Sequence, residues 1–479
     1  MSGEGSSCYP PAMAEFSRIL PLVVAAALFM ENMDSTVIAT SLPAIASDLN
    51  VDPVVLKLAF TTYLLSLTVF IPISGWTADR FGAKNVFRAA IAVFTLGSIA
   101  CGFSQTLEGL VAARALQGVG GAMMVPVGRL ILLRAIPKSQ MVNALAYLTI
   151  PALIGPLIGP PIGGFITTYF HWRWIFLINV PVGIVGLILA TVLMPDIRAD
   201  RTPRLDAMGF ILSGAGLSAL VFGLTVLGRD LLPDEAAIAL VLGGTVLLVL
   251  YVFHARRTEE PILDLKLLRI LTFRAGVIGG SLFRVGVGAT PFLLPLLLQL
   301  GFGMTPFQAG LLTCASVAGA LAMKFTVHRV LRHYGFRMVL IVNGLISAVF
   351  IAANGFFTIT TPLVVMAVCL LCGGFFRSLQ FTSMNALSYG DIDHPDMSRA
   401  TSFYMVAQQL SLSAGVAFAA FILEMTQMVR GDLTLVAADF SIAFFAVAAV
   451  SALSVVSFIG LSHDAGEELV QRRATQAAR

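Results

Sequence analysis

Two carboxylates and four arginines stand inside runs of sequence that are otherwise apolar, and any chemistry this chain performs starts from them. Glu31 and Asp34 lie in LFMENMDSTV, three residues apart and so on neighbouring positions of one helical face. An acid at the centre of a lipid-embedded helix costs about 2.5–3.5 kcal/mol even on insertion-based scales, so its presence asks for a function. Burial disfavours the charged form of a carboxyl, and a second acid nearby adds repulsion. Such a group can hold a proton in one state of a cycle and release it in another. Asp34 and Glu31 are therefore the proton-handling candidates; the competing reading is a structural acid paired with a nearby base.

The arginines divide by depth. Arg114 lies a turn or two inside its run; facing a cavity, its charge would favour the ionised acid in one state and withdraw in another, whereas near the headgroups it would simply snorkel. Arg129 sits nearer the other end of the same run, where both uses are open. Arg284 and Arg377 are deeper, and no acid within their own runs neutralises them, so they are expected to face water, substrate or a partner from another helix. Gln408 and Gln409 in YMVAQQLSLS suit hydrogen bonds either to substrate or between helices. Arg284, Arg377, Gln408 and Gln409 form the expected substrate-contacting set.

The elements that must position these groups follow from composition. Of 479 residues, 57% are hydrophobic and only 12% charged, and the mean hydropathy is +0.90. That balance belongs to lipid rather than water. Apolar runs of the 17–25 residues that span a hydrocarbon core recur near 18–42, 55–76, 86–104, 108–131, 141–167, 174–194, 207–228, 236–254, 273–298, 307–327, 338–358, 362–386, 401–427 and 440–461. The expectation is an all-α polytopic membrane protein of fourteen helices.

Arg80, Lys84 and Arg88, then Arg134 and Lys138, then Arg198, Arg201 and Arg204, then Arg256 to Arg274, then Arg329 to Arg337, fall in alternate connections. By the positive-inside rule those connections and both termini are cytoplasmic. The net charge of +4 is thus a topology signal, and no nucleic-acid partner is expected.

Setting aside the pair at 207–254 leaves six runs on either side. The expected organisation is a cytoplasmic tail at 1–17, a six-helix bundle at 18–200, an inserted helix pair at 201–260, a second six-helix bundle at 261–462 and a cytoplasmic tail at 463–479. Two such bundles suit a transporter that rocks about a midplane site. GAKNVFR (82–88) and GFRMVL (335–340) give a faint echo of one bundle in the other. The N-terminal apolar run lacks a small-x-small cleavage site and reads as a retained first span.

LIGPLIGPPIGGFI (153–166) carries four glycines and three prolines. Gly155, Gly159 and Gly163 are spaced by four and stack on one face, which lets another helix press close where lipid offers no hydrophobic drive. Pro156, Pro160 and Pro161 loosen the same segment. The sharper reading is a pliable helix at the seam between two bundles; the plainer one is a kinked structural helix.

GPLIGPPIGG resembles the antiporter motif of span five in the major facilitator superfamily. GWTADRFGAKNVFR (75–88) resembles that family's Gly-x-x-x-Asp-Arg-x-Gly loop, and LVAARALQGVGGAM (110–123) its arginine-containing span-four motif. HWRWIFLINVPVG (171–183) and MDSTVIATSLPAIA (33–46) look like signatures of the fourteen-helix drug/proton antiporter subfamily, the EmrB/QacA type. The resemblance implies the major facilitator fold, Asp34 as the acid of the span-one motif, and Arg114 near the proton site. It also implies a loop around Gly75, Asp79, Arg80 and Gly82 that latches the halves, and Gly155, Pro156, Gly159, Pro160, Gly163 and Gly164 as the mobile seam. Ala83, where a basic residue is usual, and Leu58, where Trp is common, depart from the pattern, and the GFR echo lacks its acid.

No G-x-x-x-x-G-K-[ST] is present, which leaves an ion gradient or the substrate's own gradient as the energy source. The six histidines never pair at metal spacing, and neither H-E-x-x-H nor G-x-S-x-G occurs, against an intramembrane enzyme. No metal and no cofactor are called for. Cys8, Cys101, Cys314, Cys369 and Cys372 give no disulfide framework, and the C-x-x-C at 369–372 reads as packing. The expectation is a non-enzymatic, monomeric, proton-coupled exporter of lipophilic drugs in the bacterial inner membrane, its partners a small-molecule substrate, protons and membrane lipids. An exporter of an anionic or amphiphilic metabolite is the alternative, and a passive facilitator is a lesser one.

Overall fold

The computed structural model describes residues 11–135, 141–195, 205–226, 233–392, 396–431, 434–462 and 465–466. Residues 1–10 of the expected N-terminal tail, most of the C-terminal tail, and Lys138, Arg198, Arg201, Arg204 and Arg229 lie outside the described residues.

Among the described residues the chain is all helix. The long elements are α1 (Pro11–Val37), α2 (Lys57–Phe70), α3 (Ala83–Phe103), α4 (Leu107–Ala135), α5 (Met141–Tyr169), α6 (Asn179–Leu193) and α7 (Ala207–Val226). They continue with α8 (Asp234–Arg257), α9 (Leu271–Leu296), α10 (Pro306–Lys324), α11 (Val327–Ala353), α12 (Leu363–Ser388), α13 (Met397–Arg430) and α14 (Ala437–Leu453). Thirteen described segments are long and apolar enough to cross a membrane. The remaining expected position is held by α5, a continuous helix of 29 residues. Many of the apolar side chains on these helices face outward, among them Val192, Leu242 and Val364, as a lipid-facing surface requires.

Local sequence explains where helices begin and end. Thr305 caps α10 through a reciprocal box with Gln308, and Pro306 fills the first helical position where its missing N–H costs nothing. Gly431 closes α13 in the left-handed conformation. The two turns of the GAKNVFR and GFRMVL echo share an unusual backbone: Gly82 has φ 88° and Gly335 φ 72°, each followed by a helix. Only glycine takes that conformation without strain, so the sequence echo is a structural one.

The helices fall into two packed groups. In the first, α3 packs on α4, α1 on α5, α2 on α4 and α6 on α3; in the second, α10 packs on α12, α9 on α13, and α14 on α9, α11 and α13. The pair α7 and α8 pack on each other, and α7 leans on α2 and α13. The connection that follows, 258–270, is tied down. Leu263 donates its N–H to the Tyr251 hydroxyl, Asp264 caps the short helix Leu265–Arg269, and Glu260 pairs with Arg399 at the start of α13.

Two helix pairs join the groups, α5 with α10 and α2 with α13. Their contacts gather toward the face away from the basic connections. Lys57 Nζ meets Glu424 Oε1 at 2.5 Å, Gln299 donates to the Thr40 carbonyl at 2.9 Å, and the Phe307 N–H donates to Thr168 at 3.0 Å. Phe307 also sits within 6.1 Å of both Phe165 and Tyr169, ring centre to ring centre.

The glycines of α5 divide their work between the groups. Gly155, Gly159 and Gly163 all face α1 in their own group: a Cβ at Gly163 would lie 2.5 Å from the Val37 carbonyl. The neighbour Gly164 faces Pro306 of the other group, and Gly310 of α10 faces the Pro160 carbonyl. The face spaced by four is therefore an internal joint, and the seam runs through Gly164, Pro160 and Gly310.

Candidate functional site

Asp34 is the centre of a buried polar cluster built from four helices. Arg114 of α4 donates from Nη1 to Asp34 Oδ2 at 2.6 Å. Gln117, one turn on, and Asn179 of α6 both donate to Oδ1, at 2.8 and 2.7 Å. Ser98 of α3 accepts from Gln117 and Asn179 at 2.7 and 3.3 Å. The side chains of Asp34 and Arg114 are each 1% exposed.

Three donors and no acceptor face this carboxyl, the arrangement of a carboxylate rather than an acid. Charge-assisted bonds of this length are roughly twice as strong as neutral ones, and the low dielectric that makes an isolated charge so costly strengthens the pair. Arg114 is held on its other sides by the Gln117 side-chain oxygen at 2.6 Å, the Ala59 carbonyl at 3.4 Å and the face of Tyr63 at 4.2 Å. Neither the Tyr63 hydroxyl nor the Asn179 Oδ1 has a hydrogen-bond partner, so the cluster keeps two buried polar atoms in reserve.

Glu31, one turn earlier on α1, is placed differently. Its Oε2 is buried and has no hydrogen-bond partner. A buried carboxyl oxygen without a donor is where a proton would add a bond instead of breaking one.

The second group carries its charges without acids. Arg284 is fully buried between α12 and α13; it donates to the Tyr404 hydroxyl and, at 3.5 Å, to Asn385, and lies 4.5 Å over the Tyr404 ring and 5.3 Å from that of Phe381. Its Nε and Nη1 have no hydrogen-bond partner. Arg377 donates to Ser316 at 3.0 Å and faces a cavity of about 170 Å³ between the groups. Thr36 and Pro156 of the first group and Thr290, Pro291 and Ser316 of the second help to line it. Gln408 and Gln409 are half-buried on α13, and neither makes a side-chain hydrogen bond among the described residues.

The remaining expected residues sit apart from this core. Gly75, half-buried Asp79 and exposed Arg80 lie on the short helix Ser74–Phe81, which packs on α3 and α4 and ends at Gly82. Pro156 and Pro160 line the cavity between the groups.

Gln117, Asn179 and Ser98 are the site residues that sequence reading passed over. Gln117 and Asn179 lie inside the quoted LVAARALQGVGGAM and HWRWIFLINVPVG stretches, and Gln117 shares a helical face with Arg114. HWRW contributes a second structure at the far end of the same group. Asp48 on the short helix Leu42–Leu49 accepts from Trp172 Nε1 at 3.0 Å and Arg173 Nη1 at 2.7 Å, while Arg173 also donates to the Ser104 carbonyl at 2.9 Å. Burial pushes the Asp48 carboxyl up, but those two hydrogen bonds and the charge of Arg173 outweigh it and hold the group below the usual range. Three inter-helix connections are stapled together there.

This architecture has known counterparts. The chain is 41% identical over 404 residues to the multidrug resistance protein MdtD named in Pectobacterium carotovorum, covering 84% of this chain and 86% of that one. It is 38% identical over 459 residues to the MdtD of Salmonella paratyphi A, covering 94% and 96%. Among solved structures it superimposes on the D-xylose-proton symporter with TM-score 0.67 at 14% identity, covering 93% of this chain and 97% of that one. On the POT family transporter PepTSo the TM-score is 0.66 at 14% identity, covering 96% and 98%. At such identities the likeness is one of fold alone. The family model of the Major Facilitator Superfamily matches residues 24–255 and 276–478. With that match over most of its length, two packed helix groups and a polar core buried between apolar helices, this chain is a polytopic membrane protein of the Major Facilitator Superfamily, a family of transporters.

Proposed function

We propose that the chain is a proton-coupled drug exporter of the EmrB/QacA type, working by alternating access in the bacterial inner membrane as a monomer with both termini cytoplasmic. The names of the MdtD relatives support drug efflux. The basic connections support the orientation. The bundles at 18–200 and 261–462, with the helix pair at 201–260 between them, are the two moving bodies.

The observation that carries the proton step is the buried Asp34 cluster. With the outer ends of the two groups joined through Lys57–Glu424, Phe307–Thr168 and the Gly164–Gly310 seam, Asp34 is paired with Arg114. A proton arriving at Asp34 removes the charge that holds Arg114 and one of the acceptors that hold Gln117 and Asn179. The pair then separates, and the joint between α1 and α5 transmits the change to the seam. Glu31 is the next carboxyl along the same face. Arg284, Arg377, Gln408 and Gln409 contact the cargo, and Gly75, Asp79, Arg80 and Gly82 form the cytoplasmic latch.

Everted vesicles with an imposed proton gradient test this. Asp34→Asn should insert and fold yet lose gradient-driven efflux altogether. Undiminished coupled efflux in that variant, with Glu31→Gln inactive, moves the proton site to Glu31; full flux in both reduces the protein to a facilitator.

A further inference from the structure

Two guanidiniums of the second group, Arg377 and Arg284, meet no acid among the described residues. Arg377 points into the cavity between the groups and has one protein partner, the Ser316 hydroxyl. Arg284 lies nearer the basic-connection end of the group, beside Phe381 and Asn385, one and two turns along α12 from Arg377. It is fully buried with two unpartnered nitrogens. Neither arginine forms an ion pair with a described carboxylate, although the first group of helices pairs its own buried arginine fully. A buried cation is kept only where something compensates it, and a guanidinium presents a planar fork matched to carboxylate, sulfonate or phosphate oxygens.

The cavity fits that reading. Its wall is mostly apolar, with Pro156, Pro291 and Leu294 among the lining residues. The hydroxyls of Thr36 and Thr290 donate to carbonyls of their own helices, whereas Ser316 accepts from Arg377 and keeps its own O–H to donate. The guanidinium and Ser316 can hold an oxyanion, and the apolar wall takes the body that carries it. At about 170 Å³ it lies below the roughly 300–1,000 Å³ of drug-sized pockets. We infer that Arg377 anchors the oxyanion group of a small organic anion with an apolar body, and that Arg284 receives the same group nearer the cytoplasmic entrance. The inference rests on the transporter reading and makes it specific: the cargo, or one class of it, is anionic, and its charge is matched by the second group as the proton's is by the first.

The test uses three aromatic probes of similar size on the purified full-length protein: benzenesulfonate, which stays ionised at all working pH values, neutral benzenesulfonamide, and cationic N-methylpyridinium. Calorimetry on the unmodified protein should show the sulfonate binding at least about tenfold tighter than the sulfonamide and the pyridinium. Arg377→Gln should remove that preference, Arg377→Lys should keep part of it, and Arg284→Gln should slow association with a smaller effect on affinity. Equal binding of sulfonate and sulfonamide by the unmodified protein overturns the inference, even if the variants fail to fold. So does an unchanged sulfonate affinity in a folded Arg377→Gln protein. Proton-driven efflux is measured separately in everted vesicles. Charge-selective binding without gradient-driven benzenesulfonate efflux sinks the export reading and leaves the anion site standing. Gradient-driven efflux of N-methylpyridinium with no sulfonate binding does the reverse.

Discussion

The two helix groups treat buried charge in opposite ways. In the first, Asp34 and Arg114 neutralise each other at 2.6 Å, and amides from two helices fill the remaining positions on the carboxylate. In the second, Arg284 and Arg377 lean on hydroxyls, an amide and aromatic faces, with no carboxylate at either. On the proposed function the paired charge is the switch that a proton throws, and the unanswered charges receive a counter-ion from outside the chain. The proposal thus gives one half of the fold the coupling chemistry and the other half the recognition chemistry.

The largest effect that could break this contrast is on stability. Asp34→Asn leaves Arg114 buried without its counter-charge, a change that costs about 3–5 kcal/mol where one partner of a buried pair is removed. The double variant Asp34→Asn with Arg114→Gln should recover much of that loss in thermal unfolding, because no orphan charge remains. Additive losses in the two variants would mean that the pair is not the unit described. Arg284→Met should behave in the opposite sense: removing a cation that no acid answers should leave stability unchanged or raise it by about 1 kcal/mol. A loss as large as that of Asp34→Asn would put a hidden counter-charge beside Arg284 and erase the distinction between the groups.

The smallest effect sharpens the picture at the outer end of the first group. The folded Asp48 carboxyl is held below its ordinary value of 3.8, so the stability it contributes is complete above that value and fades as the pH falls through the lower folded value. The difference in melting temperature between the wild type and Asp48→Asn, measured in a His171→Gln background because that ring lies 3.8 Å from the carboxylate, should therefore be constant between about pH 5 and 8 and shrink only in stronger acid. Asp48 is 35% exposed, which limits the difference to about 1 kcal/mol or less. A difference that closes already near neutrality would show that the staple with Trp172 and Arg173 does not form.

Much of this was written plainly in the chain. An acid in an apolar run is costly, so Asp34 and Glu31 announced themselves, and so did Arg114, Arg284 and Arg377. Gln117, Asn179 and Ser98 did not: amides and hydroxyls are cheap enough in a membrane helix to serve as packing, and only the fold brings the two amides to one carboxylate with Ser98 behind them. The glycine face of α5 was legible as a close contact, but the partner was not. Spacing shows which residues share a face, and it cannot say whether the facing helix belongs to the same group. Gly310, on which the seam depends, shares its run only with Gly319, nine residues on and on the opposite face, so it carries no spacing signal. The GAKNVFR and GFRMVL echo looked faint because its residues differ, while the backbone requirement at Gly82 and Gly335 is the same.

The seam also carries its own reporter. Cys314 on α10 points its sulfur at the Leu157 carbonyl of α5, 3.2 Å away across the junction, whereas Cys101 is buried within the first group. If α5 and α10 part as the proposed cycle requires, that thiol loses its cover and meets whatever enters the gap. With Cys8, Cys369 and Cys372 replaced by serine, its alkylation rate by a small maleimide becomes a clock for that opening at a native position.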